Sequence, residues 1–376
     1  MTRPTDADAL DAVVERVDAT LAETGAAFPY VRDPGERWET TDDGNWCGGH
    51  WVGLLWLAHE RTGEARFAAA AREHAETLRQ SMPRESMFCG MNFHYAGFRA
   101  YDVTGDRRAF GLGLEGADAM ADYYHEGARQ VPLGTLGIVG PEQFRGPASD
   151  HGPSGDRIAA VDDVYTALPV LWRAYRETGD PGFRDVAVSH ADRHLDWFVR
   201  DDGSTWHHAV FDPETGALER QYNELAHGDD TCWARGQGWN VAGLARAYRE
   251  TGADRYRDAL ERTVAYHREH APEDGVPRWD YEVPDPEGEP RDTSAAALVA
   301  YGLTRLPDDD RVADLRAYGE RVLDSLLADY LVTEADADEP VGTVLHGCFN
   351  APGGYATDSE LVWTTYYLAR ALAARR

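Results

Sequence analysis

No lysine occurs anywhere in the 376 residues, so all 37 basic side chains are arginine. Chemistry that runs on a lysine amine is thereby excluded, including Schiff-base catalysis, pyridoxal-phosphate attachment and the Walker-A nucleotide loop. Basic charge is scarce in total as well: 66 Asp and Glu leave a net charge of −29. With no basic run to displace counterions or settle on anionic lipid, neither nucleic acid nor a membrane surface is an expected partner. Cysteine is sparse, and Cys47, Cys89, Cys232 and Cys348 stand far apart with no Cys-x-x-Cys pair. That spacing fits neither a zinc ribbon nor a disulfide framework, and reduced thiols are expected. No apolar run approaches the roughly 18 residues of a membrane span. The opening MTRPTDADALDAVVERVDATL has no apolar leader core and no twin arginine, so a soluble cytoplasmic protein is expected.

What is present in excess is carboxylate. A surface this acidic repels itself in dilute buffer, but near 1 M salt the Debye length falls to about 3 Å and the repulsion is screened. The balance suggests a halophile, and the acidic runs Asp308-Asp309-Asp310 and EADADEP read as salt-adapted surface.

The organising feature is a repeated phrase: Thr62-Gly63-Glu64 before Phe67, Thr104-Gly105-Asp106 before Phe110, Thr178-Gly179-Asp180 before Phe183, and Thr251-Gly252 before Tyr256. Each follows one amphipathic stretch and precedes another, as when glycine ends a helix in a left-handed cap and an acidic residue opens the next. The copies start 42, 74 and 73 residues apart, so the longer intervals can each hold two units. Between Pro181 and Arg200 the apolar positions Phe183, Val186, Ala187, Ala191, Leu195 and Phe198 form one helical stripe. The best strand pattern is STWHHAVFD near residue 204, and Pro/Gly-rich stretches such as VPLGTLGIVGPEQFRGPASDHGPSG read as long functional loops. We therefore expect residues 1–376 to form a single all-α domain in which about six helical hairpins close into a toroid, burying the ends an open solenoid leaves exposed.

Some motifs carry little. Gly111-x-Gly113-x-x-Gly116 matches a dinucleotide fingerprint but follows a helix-opening phrase rather than a strand. His190 and His194 have metal-pair spacing, yet no His-Glu-x-x-His accompanies them, and they read as packed or hydrogen-bonded core histidines. Three segments are richer. Asn45-Trp46-Cys47-Gly48-Gly49-His50-Trp51 sets tryptophans among glycines, where an indole could stack on a sugar or pack in the core. Asp162-Asp163 opens a helix, where capping accounts for one carboxylate and leaves the other for chemistry. His227 to Trp239 gathers an imidazole, a guanidinium, an amide and two indoles, a set able to clamp a carboxylate and stack a ring.

On these phrases, with RDDGSTWHHAVFDPETG, DGVPRWD, RDTSAAA and LHGC in the same order, the chain resembles glycoside hydrolase family 88, the unsaturated glucuronyl hydrolases. The resemblance runs from about residue 46 to the C-terminus, and family 105 is related. It implies an (α/α)6 barrel and removal of a 4,5-unsaturated uronic acid from the non-reducing end of lyase-generated oligosaccharides, without metal or cofactor. By the same resemblance Asp163 is the general acid/base, His207 lies beside the sugar, and Trp51, Trp233, Arg235 and Trp239 form the pocket walls and carboxylate clamp. His94, Tyr95, Asp162, His227 and Gln237 complete the expected substrate-binding set, with His227 where glutamine is usual. The implied chemistry gives a proton from Asp163 to C4 of the vinyl ether and lets water attack C5. It requires a protonated carboxyl, so burial and Asp162 are expected to raise the pKa of Asp163.

Two departures stand out. Tyr95 takes the place of a second family aspartate in His94-Tyr95-Ala96-Gly97-Phe98, and Thr364-Thr365-Tyr366-Tyr367 replaces a Gly-Asp-Tyr-Tyr phrase. A phenol lacks the charge of a carboxylate, though its hydroxyl can hydrogen-bond a sugar. Alternative readings are a glycosidase acting on a saturated uronic acid and a non-catalytic sugar-binding relative. The composition itself makes a prediction: the melting temperature, followed by scanning calorimetry, rises steadily between about 0.1 M and about 2 M KCl. A Tm indifferent to salt contradicts it.

Overall fold

A computed structural model describes residues 3–135, 155–334 and 339–375. Most of the Pro/Gly-rich stretch at 131–155 and part of the EADADEP run lie outside the described residues.

The Thr-Gly phrases are helix joints at all four places. The glycines take φ of +73°, +68°, +74° and +66°, a region open to glycine at no steric cost. Each threonine works in both directions. Its hydroxyl donates to the carbonyl four residues back, as Thr62 does to Ala58 (2.8 Å) and Thr178 to Ala174 (2.8 Å). The same oxygen accepts the N–H just beyond the glycine, from Glu64 and Asp180 at 3.1 Å. One helix is closed and the chain is aimed into its antiparallel neighbour.

The helices so joined sort into two rings. The inner ring is α2 (Gly48–Thr62), α4 and α5 (Met87–Phe93 and Arg99–Thr104, continuous through a π-helical turn at His94–Phe98), α7 (Asp163–Thr178), α9 (Ala234–Thr251), α11 (Thr293–Thr304) and α13 (Val362–Leu372). The outer ring is α1 (Asp6–Thr24), α3 (Ala65–Ser81), α6 (Arg107–Tyr123), α8 (Pro181–Phe198), α10 (Asp254–His270) and α12 (Ala313–Ser325). Inner helices touch in the order α2, α4, α7, α9, α11, α13 and back to α2, so the ring closes as an (α/α)6 barrel. Composition follows position. Every residue of α11, TSAAALVAYGLT, is buried, whereas outer α8 buries the one stripe that includes Phe183, Ala187, Ala191 and Phe198. The Gly111–Gly116 match lies inside α6, where Gly113 allows the backbone to approach Phe98 and Gly97.

Inner and outer helices alternate along the chain, so all inner helices run in one direction. Short joints collect at their C-terminal ends and long connections at their N-terminal ends. This corrects the spacing argument: each interval of 73 or 74 residues holds one outer and one inner helix, and the surplus is a long excursion at the N-terminal end. The excursions supply a three-stranded antiparallel sheet of Ile158–Ala160, His208–Phe211 and Leu218–Tyr222. Among the described residues no helix is long and apolar enough to cross a membrane.

Chain ends meet through a buried ion pair. Arg16 of α1 donates Nε and Nη2 to Glu360, at 2.8 and 2.6 Å, and Arg32 reaches the same carboxylate at 3.5 Å. The strand Val31–Arg32 pairs with Glu360–Leu361 beside it. Removing one partner of such a pair leaves an uncompensated buried charge, so Glu360→Ala is expected to cost about 3–5 kcal/mol in denaturant unfolding. A loss below about 1 kcal/mol would show that this closure is not what the fold leans on.

Candidate active site

The sheet ends where α7 begins, and that junction places the adjacent carboxylates. Ala160 pairs with His208, the N–H of Val161 donates to the His207 carbonyl (2.8 Å), and after the turn at Asp162 the helix starts on Asp163. Asp163 is fully buried, and its Oδ2 accepts the Ala160 N–H at 3.2 Å. Its Oδ1 lies 3.3 Å from His190 Nε2 and 3.6 Å from His194 Nδ1. Hydrogen bonds on the far side of each ring set the tautomers. His190 Nδ1 accepts the Val131 N–H (3.3 Å), so Nε2 carries the proton that faces Asp163. His194 Nε2 meets Asn240 Oδ1 (2.9 Å), an acceptor whose amide nitrogen is given to Thr263, so Nε2 donates there. Its Nδ1 faces Asp163 Oδ1 with no hydrogen bond formed between them.

Burial raises the pKa of Asp163, but His190 and then His194 outweigh it and hold the carboxyl below the usual carboxylate range. This corrects the expectation of a raised value. The raised one is Asp162, which is partly exposed and makes no capping bond; burial, opposed by Arg235 and assisted by Asp163, pushes it up to about 7.

His207, Trp233 and Arg235 stand beside the carboxylates. The His207 ring stacks on His208 at 3.8 Å and lies 4.4 Å from Trp233, with Nδ1 buried and unpartnered. Burial, then His208 and Arg235, push His207 well down, so it is neutral. The Arg235 guanidinium lies 4.5 Å from the centre of the Trp233 ring. Its Nη1 is given to Asp292 (3.3 Å) and the Cys348 carbonyl, and its Nη2 to the Phe349 carbonyl (2.7 Å). The expected clamp is thus tied to the loop before α13 and acts on the site through its charge.

Other expected residues fall elsewhere. Trp51 is turned outward, edge-on to His74 of α3 at 6.3 Å, because its position in α2 faces the outer ring. Gln237 is spent on the carbonyls of Gly203 (2.8 Å) and Thr263 (3.1 Å) and on Cys232. His227 is exposed on a loop, its N–H bound to Asp280. His94 points toward the far end of the barrel, where burial and then Arg246 and Arg173 push it well down. Tyr95 and Trp239 lie inside the barrel axis, each within ring contact of Tyr366 or Tyr367. Because His50 Nδ1 meets the Cys47 carbonyl (2.9 Å), its Nε2 accepts from Tyr367 (3.0 Å), and Tyr95 donates in turn to Tyr367 (2.8 Å). The hydroxyl of Tyr95 is thereby engaged within the protein and not offered to a sugar.

Sequence reasoning missed three features. His190 and His194 are the buried, hydrogen-bonded core histidines expected, but their common target, the Asp163 carboxylate, was not foreseen. Trp46, not Trp51, joins the aromatic wall, 4.8 Å from Trp363 and stacked on Phe349, both of which also face Arg235. Its position just before α2, at the end where long connections gather, was the available signal. Glu224 lies 3.3 Å from His208 and is pushed up to about 7 by burial; nothing in the sequence marks it.

Comparison with known proteins agrees with this architecture. The family model described as Glycosyl Hydrolase Family 88 matches residues 20–374. An unsaturated glucuronyl hydrolase of Bacillus sp. (strain GL1) is 31% identical over 94% of this chain and 92% of its own length. An unsaturated chondroitin disaccharide hydrolase of Streptococcus pneumoniae is 29% identical over 99% and 92%. The crystal structure of the Bacillus sp. GL1 enzyme superposes with a TM-score of 0.83 at 28% identity, covering 97% of this chain and 94% of that one. A Streptococcus agalactiae unsaturated glucuronyl hydrolase variant complexed with dGlcA-GalNAc6S gives 0.77 at 25% identity, covering 100% and 93%. With the family model matched over residues 20–374 and the ring architecture shared, the chain belongs to glycosyl hydrolase family 88 and is homologous to the unsaturated glucuronyl hydrolases.

Proposed function

We propose that this protein hydrates the vinyl ether of a 4,5-unsaturated uronic acid at the non-reducing end of an oligosaccharide, with Asp163 as acid/base. The observation that carries the reading is a fully buried carboxyl at the start of α7 with two histidines against one of its oxygens, His190 at 3.3 Å and His194 at 3.6 Å. A proton stored there can be delivered through Asp163 to C4 as positive charge develops at C5. The carboxylate left behind accepts a proton from the water that attacks C5, and the resulting hemiketal opens to release the shortened chain. This requires one acid/base carboxyl where ordinary glycosidases use two. His190 holds the Asp163 carboxyl in place, and Trp233 and neutral His207 give an apolar, uncharged wall for the ring.

The substrate is an anion, and the charge around it supports the reading. The N-termini of α7, α9 and α11 converge at this end, each worth up to about half a positive charge, and Arg235 adds a whole one. Asp162 admits a uronate only while neutral. Its pKa of about 7 means that it is protonated below that pH and charged above it. The replacement of two family aspartates by Tyr95 and Thr365 supports a second reading, a saturated uronoside as substrate, which the same assays separate.

Two outcomes are expected from steady-state kinetics on unsaturated disaccharides in molar salt. Asp163→Asn lowers kcat by at least about a hundredfold with the fold intact; a variant that keeps wild-type kcat sinks the assignment. For the wild type, kcat/KM falls as pH rises through about 7, chiefly through KM. Asp162→Asn removes that descending limb, and a limb that survives unchanged in the variant places its origin elsewhere.

A further inference from the structure

The short-joint end of the barrel, opposite the carboxylates, holds a cavity of about 810 Å³, within the range of small-molecule sites. Five arginines line it, Arg61, Arg99, Arg249, Arg305 and Arg370, against one lining carboxylate, Glu60. In a chain of net charge −29 this concentration of cations is the reverse of the general balance. Two of the five are neutralised: Arg61 pairs with Asp11 at 2.7 Å and Arg99 with Glu60. Three are not. Arg249 comes no nearer than 3.9 Å to Glu250, which already serves Arg176 at 2.6 Å and Arg246 at 2.9 Å. Arg305 packs over the Tyr301 ring at 5.1 Å with its Nε buried and unpartnered. Arg370 has no ion pair or hydrogen bond among the described residues.

A bland explanation is that these arginines offset the partial negative charge at the inner-helix C-termini. The geometry gives it little support. Of the three, only Arg249 donates to a terminal carbonyl, that of Arg305 at 3.5 Å. The positive potential is instead felt by neighbours. Burial raises the pKa of Tyr301, yet Arg305 and Arg370, then the hydrogen bond with Tyr165 and Arg249, bring it down to about 8. Arg99 is pushed down to about 10 by burial and then by Arg370. Thr304, more than nine-tenths buried, lines the same cavity with a hydroxyl that has no partner.

We propose that this cavity binds a multivalent oxyanion of the phosphate or sulfate class, held by Arg249, Arg305 and Arg370 with the Thr304 hydroxyl as a fourth donor. The donors come from the ends of α9, α11 and α13, three consecutive inner helices, so the site is a tripod on rigid elements. Planar guanidinium forks match the oxygens of a phosphate or sulfate group, and a monovalent chloride leaves two of the three cations uncompensated. The site is independent of the sugar chemistry at the other end.

Isothermal titration calorimetry of the full chain tests it, using inorganic pyrophosphate and sulfate at constant ionic strength balanced with KCl. One saturable site is expected, with Kd raised about tenfold or more in Arg305→Gln/Arg370→Gln, since each charge-assisted bond is worth about that factor. Thr304→Val, which keeps every charge and nearly the same volume, weakens binding less but measurably and serves if the double variant does not fold. Parallel titrations with glucose 6-phosphate and a sugar 6-sulfate identify the source, an ester that binds more tightly than the free ion marking a carbohydrate ligand. Absence of a saturable response to all four anions, or equal binding by wild type and variants, overturns the proposal.

Discussion

Everything in this molecule follows from the closure of an inner ring whose helices all run the same way. Closure by alternating inner and outer helices forces that parallelism, and parallelism makes the two ends of the barrel unlike. One end receives helix N-termini and the long connections, the other helix C-termini and the tight Thr-Gly joints. Repulsion among aligned dipoles is the cost, and the two ends carry opposite kinds of side-chain charge. At the N-terminal end a carboxylate, Asp163, is seated at the first residue of α7, where an anion is favoured. At the C-terminal end arginines gather.

The barrel axis between the two ends is filled by hydroxylated aromatics. Tyr165 and Tyr301 share a 2.7 Å hydrogen bond, and Tyr95 and Tyr367 one of 2.8 Å. This explains how the change at Tyr95 is accommodated. A carboxylate placed among these buried phenols would lack a cationic partner, whereas a phenol extends the existing network to His50. Tyr95 is part of this packed axis, whereas Asp163, His190 and His194 lie on the α7 and α8 hairpin.

The fold was legible in the sequence because its grammar is local. Thr-Gly joints, helical stripes and the scarcity of strand patterns all refer to neighbouring residues, and the physical cause of the joints, a bifunctional threonine hydroxyl beside a left-handed glycine, lies within a seven-residue window. The spacing argument failed where long connections intervene, since length alone does not tell a helix from an excursion. The site was legible in part. Asp162, Asp163, His207, Trp233 and Arg235 sit at inner-helix starts or the adjoining sheet and do assemble. Trp51 and Gln237 do not, because helical phase turns them to the outer ring, and phase near a helix start could not be fixed from a glycine-rich phrase. His190 and His194 were passed over because a histidine on an apolar stripe looks the same whether it meets a hydrocarbon or a carboxylate. Which of two adjacent aspartates is raised and which lowered depends on partners from another helix, information that no local pattern holds.

The account rests on transfer of a proton through Asp163 to C4 of an unsaturated uronate. Running the reaction in D2O on a lyase-derived disaccharide and following it by NMR tests this directly. The account predicts loss of the C4 vinyl proton signal with one deuteron delivered to C4, and no deuteration with Asp163→Asn. Release of the sugar with the double bond intact, or deuteration at C4 that persists undiminished in the variant, would contradict it.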